Sequence, residues 1–143
     1  MDWLRLSVFA HIFFSILLVG LALFWVIMQT ALGRRFAAAE AQRLLQVTQS
    51  ARWPHVGVPY AWRLPLPWLT WAVILGAWLS GILNATLGGE FRWSEWWPKW
   101  ALVAMLAVLQ LLMTPRPRPA LFRPYLAFLL VTVAASAWLT RTI

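Results

Sequence analysis

The feature that most constrains this chain is the stretch from Leu6 to Gly33, which contains no charged side chain. A helix of about 20 apolar residues is enough to cross the hydrocarbon core of a bilayer. Three more apolar stretches follow, so the sequence predicts four spans, at about residues 6–32, 66–87, 96–114 and 124–140. We therefore expect an all-α polytopic membrane protein, in which residues 1–143 form a single domain: an antiparallel bundle of four transmembrane helices.

The composition favours a membrane protein over a soluble one. Hydrophobic residues make up 62% of the 143 residues and charged residues only 11%, which is more apolar surface than one soluble core can bury. The 12 Trp residues point the same way, because indole rings favour the membrane–water boundary. We expect the net charge of +8 to serve topology and anionic headgroups, so the predicted partner is the lipid bilayer and not nucleic acid.

Lys and Arg are distributed unevenly between the two sides of the predicted bundle. The first loop carries five and the third loop three, whereas the second loop carries two and each terminal segment one. Short basic loops stay in the cytoplasm. The sequence therefore predicts a protein of the bacterial inner (plasma) membrane with both termini in the periplasm.

The first loop also contains a predicted amphipathic helix. The segment from Phe36 to Gln49 has no Gly or Pro, and Leu44, Leu45 and Val47 form an apolar strip beside charged residues. Two arrangements are open: the helix lies on the cytoplasmic leaflet, or it prolongs the first span past Gly33.

Polar residues are rare in the spans, and each is a candidate functional residue because it is costly in a bilayer. His11 lies about 9 Å into the first span, and Lys99, the only lysine, opens the third. These two spans run in the same direction, so both residues approach the same membrane face. The opposite direction of the second span brings Ser80 and Asn84 there too. Other polar residues expected at this face are Glu90, Glu95, Ser136 and Thr140.

The predicted cluster of His11, Lys99, Asn84 and Ser80 has two interpretations. As a site, it would hold a metal, haem or a quinone-type molecule near the outer face. His11 would then be a metal or axial haem ligand, and Lys99 would hold a carboxylate or propionate. As structure, His11 hydrogen-bonds a neighbouring helix and Lys99 reaches headgroups among nearby Trp residues. The chain contains no nucleophile–base–acid set, so no catalytic residue is predicted.

Other residues suggest packing or solvent exposure. Small residues at roughly one-turn spacing let helices approach closely, and we expect such contacts at Gly20, Gly76, Ser80 and Gly81. Gln110 is predicted to make an interhelical hydrogen bond. His55 is expected to be a solvated loop residue.

Four short patches of this sequence resemble the four-helix unit of the copper-resistance protein D (CopD-like) membrane proteins and the related HemJ-type protoporphyrinogen oxidases. A His opens the first helix, a basic segment follows it, a small-residue turn closes the second helix, and a Lys opens the third. In this sequence these patches are His11 to Gly20, Arg34-Arg35-Phe36, Ser80-Gly81-Ile82-Leu83 and Lys99-Trp100-Ala101-Leu102-Val103. Gln110 stands near where many relatives have a second His.

The resemblance implies copper or haem handling, with haem b or copper as the cofactor and with His11 and Lys99 serving haem association. It leaves the protein without a catalytic centre of its own. The alternative is an accessory or structural subunit of a larger respiratory, photosynthetic or transport complex, in contact with other subunits or with its own copies. An oxidoreductase of HemJ type is the least favoured reading.

Overall fold

The structure is a computed structural model that describes residues 2–50, 66–88, 96–114 and 118–142, and all regular elements in these residues are helical. The predicted all-α fold is thus confirmed. A short 3₁₀ turn, Pro119–Leu121, precedes the last helix. The five helices are α1 (Trp3–Arg35), α2 (Ala38–Ser50), α3 (Leu66–Leu87), α4 (Trp97–Met113) and α5 (Phe122–Thr142).

Three of the described helical segments are long and apolar enough to cross a membrane: Trp3–Arg35, Trp68–Leu87 and Pro119–Trp138. The remaining predicted span, the third, corresponds to α4, which is apolar but has only 17 residues. Large apolar side chains remain exposed around the bundle, including Phe9 at 68%, Ile16 at 66% and Leu79 at 67%. Exposed apolar surface on this scale belongs against lipid, so the chain is an integral membrane protein.

Local sequence defines both ends of α1. The side chain of Asp2 accepts a hydrogen bond from the backbone N–H of Arg5, which satisfies one of the free donors at the helix start. Arg34 and Arg35 occupy the last turn, where positive charge is favourable. The helix stops because Phe36 is extended, with φ −128° and ψ 157°.

Helices α1, α3, α4 and α5 pack in alternating directions. Phe14 of α1 contacts Gly76 of α3, while His11, one turn earlier, contacts Gly81, so α1 and α3 are antiparallel. Near the other end of α1, the side-chain amide of Gln29 donates to the carbonyl of Pro119 (3.0 Å), just before α5 begins. The main packing pairs are α1 with α3, α1 with α5, and α4 with α5.

A shared apolar core joins the helices. It takes Leu18 and Trp25 from α1, Ile74 from α3, Leu109 from α4 and Leu129 from α5, all nearly inaccessible to solvent. The ring of Trp25 lies 5.8 Å from that of Phe122 between centroids, within the range of a favourable aromatic pair.

The amphipathic helix is present, but it does not prolong α1, because the extended Phe36 separates the two. Instead, α2 folds back against α1 and α3 and buries Ala41, Leu45 and Gln49, which recur every four residues on one face. Of the three residues of the predicted apolar strip, only Leu45 belongs to this buried face. Leu45 is 2% exposed, whereas Leu44 and Val47 are 36% and 61% exposed.

The predicted close contacts at Gly76 and Gly81 are confirmed. A Cβ atom on Gly76 would lie 2.7 Å from ring carbons of Phe14, and one on Gly81 would lie 3.0 Å from Cε1 of His11. The prediction for Gly20 was wrong, because a Cβ there would meet nothing within 4 Å. At this interface Phe14 and His11 of α1 pack against α3, and they fit there because Gly76 and Gly81 have no side chains.

Candidate ligand-binding site

A cavity of about 800 Å³ lies between α1, α3, α4 and α5, towards the end of the bundle where α1 begins. Its wall is mainly apolar, with large aromatic surface from Trp78, Trp96 and Trp100. The polar and charged side chains in the wall are His11, Ser15, Asn84, Lys99, Tyr125, Thr132 and Ser136. A mainly apolar pocket with a few polar groups is the usual form of a small-molecule site, and this volume suits a drug-sized or larger ligand.

The ring of His11 is held in one orientation. Its Nδ1 lies 2.8 Å from the carbonyl oxygen of Ala77 on α3. A carbonyl can only accept, so Nδ1 carries the proton and the neutral ring keeps a lone pair on Nε2. Gly81 has no side chain and so leaves room for the ring. A Cβ atom at position 81 would lie only 3.1 Å from Nδ1 of His11.

This hydrogen bond suits both interpretations of His11. It is an interhelical contact of the kind expected for a structural histidine. It is also the arrangement of many metal-bound histidines, which donate their second ring N–H to a backbone carbonyl. Because His11 lines the cavity as well, the structural contact orients a side chain that remains part of the cavity wall.

Lys99 joins the same wall from the first turn of α4. Its Nζ lies 5.0 Å from the ring centroid of Trp96, a cation–π distance. Trp96 is itself only 8% exposed, so the ammonium is held over a buried indole. Lys99 lines the same cavity as His11.

Within the described part of the chain, no carboxylate forms an ion pair with Lys99. The acidic residues described are Asp2, which pairs with Arg5 at 3.0 Å, and the exposed Glu40 of α2. The predicted neighbours Glu90 and Glu95 lie outside the described residues, as does His55.

The structure thus brings three of the four predicted site residues, His11, Asn84 and Lys99, to one cavity. Ser80 is not in its wall. It is 6% exposed, and its hydroxyl donates back to the carbonyls of Gly76 (2.6 Å) and Ala77 (3.1 Å) within α3. Ser80 sits on the same helix as Asn84 and at a similar depth, but its side chain bonds to its own helix.

Three polar wall residues were missed from the sequence: Ser15, Tyr125 and Thr132. Ser15 lies one turn after His11, and its hydroxyl donates to the His11 carbonyl (2.7 Å). Residues four apart lie on the same face of a helix, so the sequence could have indicated that Ser15 lies beside His11. Thr132 lies four residues before Ser136, whose hydroxyl donates to the Thr132 carbonyl (2.8 Å). Ser136 reaches the expected face, and the side chain of Thr140 lies outside the described residues.

The donor set fits some ligands better than others. Among the described residues, no three His, Cys, Asp or Glu side chains lie close enough together to hold a metal ion. A copper ion bound only by protein side chains needs further ligands besides a single imidazole. A haem-type group needs less, because an imidazole can be its axial ligand, an apolar wall can cover its ring and a cation can pair with its carboxylates.

The cavity lies between α3 and α4, which make little direct contact with each other over their described residues. At the opposite end they are joined by a hydrogen bond from Trp71 Nε1 to Thr114 Oγ1 (2.8 Å). The two helices are therefore tied at one end and separated by the cavity at the other.

No protein-family model, curated protein or solved structure matches the chain.

Proposed function

We propose that this protein binds an anionic, largely apolar molecule inside the membrane, and that haem b is the ligand class that fits best. The observation that carries the proposal is the pairing of His11 with Lys99 in one apolar cavity of about 800 Å³. With its Nδ1–H bonded to the Ala77 carbonyl, a neutral His11 would present an unprotonated Nε2 to the ligand, and Lys99 would present a cation. When bound, haem b would supply an iron that takes one imidazole nitrogen and propionates that pair with a cation.

This proposal extends the resemblance to CopD-like and HemJ-type membrane proteins, and of the two cofactors implied there it favours haem over copper. His11 is the one imidazole among the described residues, and it has no second His, Cys or carboxylate beside it to complete a copper site. The proposed role is binding and handling of the ligand, without a catalytic residue of the protein's own.

The proposal also takes the chain to have four spans, with α4 as the third. At 1.5 Å per residue, its 17 residues extend about 26 Å. This is slightly less than the usual 30 Å or so of hydrocarbon, a difference that a locally thinner bilayer accommodates at modest cost. Packing against α5, which is long enough to cross a membrane, supports the same placement.

We place both termini in the periplasm of a bacterial inner membrane, because the arginines near the α1–α2 and α4–α5 turns lie at one end of the bundle.

The test is a titration of the purified protein with haem b in detergent, followed by its Soret absorption. We expect a saturable Soret shift that is lost in His11→Ala. Lys99→Met should weaken binding roughly tenfold, which is the size expected for one hydrogen bond to a charged group. The double variant should be no worse than His11→Ala alone, because residues of one site lose their shared interaction once.

His55→Ala is the matched control, since His55 is the only other histidine, and it should leave the titration unchanged. Thermal unfolding of each variant separates loss of binding from loss of fold. Unchanged haem binding in a folded His11→Ala variant would contradict the proposal. A colourless protein that purifies with fixed membrane partners would support the accessory-subunit alternative instead.

A further inference from the structure

A second, much smaller cavity lies deeper in the bundle. Its volume is about 30 Å³, more than the roughly 10–15 Å³ that a cavity needs to hold one water molecule. All five helices contribute to its wall, with Leu18, Gln49, Thr70, Gln110 and Tyr125 as one representative from each. Leu18 and Tyr125 also line the larger cavity, so these two side chains stand between the two spaces.

Two polar atoms at this small cavity lack a hydrogen-bond partner among the described residues. They are Oε1 of Gln49 and the hydroxyl oxygen of Tyr125. Gln49 is 6% exposed and Tyr125 is 4% exposed, so bulk water does not reach either group. Burying such groups without hydrogen bonds is costly, and buried polar atoms that lack a protein partner are usually satisfied by an ordered water.

We propose that the small cavity binds one ordered water molecule that joins α2 to the transmembrane bundle. The water accepts a hydrogen bond from the Tyr125 hydroxyl and donates one to Oε1 of Gln49. Its second O–H group would donate to another polar side chain of the wall, which also includes Thr70 and Gln110. A buried water normally makes about three hydrogen bonds, and four polar side chains line this cavity: Gln49, Thr70, Gln110 and Tyr125.

The position of Gln49 gives this water a structural role. Gln49 belongs to the last turn of α2, a 13-residue helix held to the bundle by a narrow buried face. Leu45 and Ala41 supply the apolar part of that face, and the water supplies a polar attachment at its carboxyl end. The proposed water uses neither His11 nor Lys99, the two residues that carry the haem proposal, although Tyr125 also lines the larger cavity.

The test combines thermal unfolding with hydrogen–deuterium exchange of the protein in detergent. Tyr125→Phe removes only the hydroxyl, and Gln49→Met removes the amide at similar side-chain length. We expect each change to lower the unfolding midpoint and to speed amide exchange in residues 41–49 roughly fivefold, as the loss of one hydrogen bond predicts. The double variant should lose less than the two single effects combined, because the bridge is broken once.

Thr132→Val is the matched control. Its hydroxyl donates to the carbonyl of Phe128 within α5 (2.7 Å), so its loss should leave exchange in α2 unchanged and should add independently to Gln49→Met. The sign of the Tyr125→Phe effect is decisive. An unpaired hydroxyl would make this variant as stable as the parent or more so, and that result would overturn the proposal. An α2 whose exchange is unaffected by Tyr125→Phe would overturn it as well.

Discussion

At the scale of single residues, the contact between His11 and Gly81 joins packing to the candidate site. The His11 ring donates to the Ala77 carbonyl and at the same time fills the space beside Gly81. A Cβ at position 81 would lie 3.0 Å from Cε1 and 3.1 Å from Nδ1 of the ring, so the ring would have to shift and its hydrogen bond would be strained. The glycine is therefore needed for the orientation of the imidazole as well as for the closeness of α1 and α3.

We predict that Gly81→Leu lowers the free energy of unfolding by about 1–3 kcal/mol, the usual cost of overpacking a close contact. Ala101→Leu is the control, since Ala101 is exposed on α4 and a larger apolar side chain there should change stability by no more than about 0.5 kcal/mol. Thermal unfolding in detergent measures both. Equal tolerance of the two changes would remove the packing role assigned to Gly81.

The position of a residue along its helix could be predicted from the sequence, whereas the direction in which its side chain points around the helix axis could not. The fixed rise per residue placed His11, Asn84 and Lys99 near one face, and the structure brings them to one cavity. Ser80 and Gly20 show what was missing. Whether a residue points towards a neighbour depends on which helix lies beside it, and the weak amphipathic pattern of a lipid-exposed helix does not reveal this.

At the scale of helices, α2 shows how a buried face differs from an apolar strip. Its bounds, Ala38–Ser50, were close to those expected. The face it buries was not predicted, because it includes the polar Gln49 and only one of the three expected apolar residues. Tertiary contacts with α1 and α3 determine this face, and a short mixed sequence carries no signal for them.

Leu44 and Leu45 provide a matched pair to test this orientation. Both are leucines in the middle of α2, but Leu45 is 2% exposed and Leu44 is 36% exposed. We predict that Leu45→Ala costs about 2–5 kcal/mol of unfolding free energy, as for a buried leucine, and that Leu44→Ala costs much less. Chemical denaturation in detergent compares the two. The reverse ranking would mean that α2 presents its other face to the bundle.

At the scale of the whole molecule, the positions of the arginines agree with the helix directions. Arg34 and Arg35 end α1, and Arg118 and Arg123 flank the start of α5. The contact between Gln29 and Pro119 places these two groups at the same end of the bundle. Charge and packing thus agree that one end is strongly basic, which is the property that determines orientation in a membrane.

We predict that reporter fusions after Thr48 and after Arg118 report a cytoplasmic location and that a fusion at Ile143 reports the periplasm. The reason is the concentration of arginine in the first and third loops. Paired reporters that are active on opposite sides of the membrane make the measurement. The reverse pattern would invert the orientation, and a cytoplasmic signal at Ile143 together with one after Thr48 and Arg118 would argue against α5 as a full span.

The length of α1 has a mechanical consequence. The helix runs without a proline from the cavity to the turn before α2, a distance of about 36 Å between His11 and Arg35. An unbroken hydrogen-bonded helix of this length behaves as a stiff rod. A bulky molecule beside His11 would tilt α1 slightly. The tilt would displace the other end of the helix sideways by a larger distance. Helix α2 follows directly after that end, so a tilt of α1 at the cavity would also move α2.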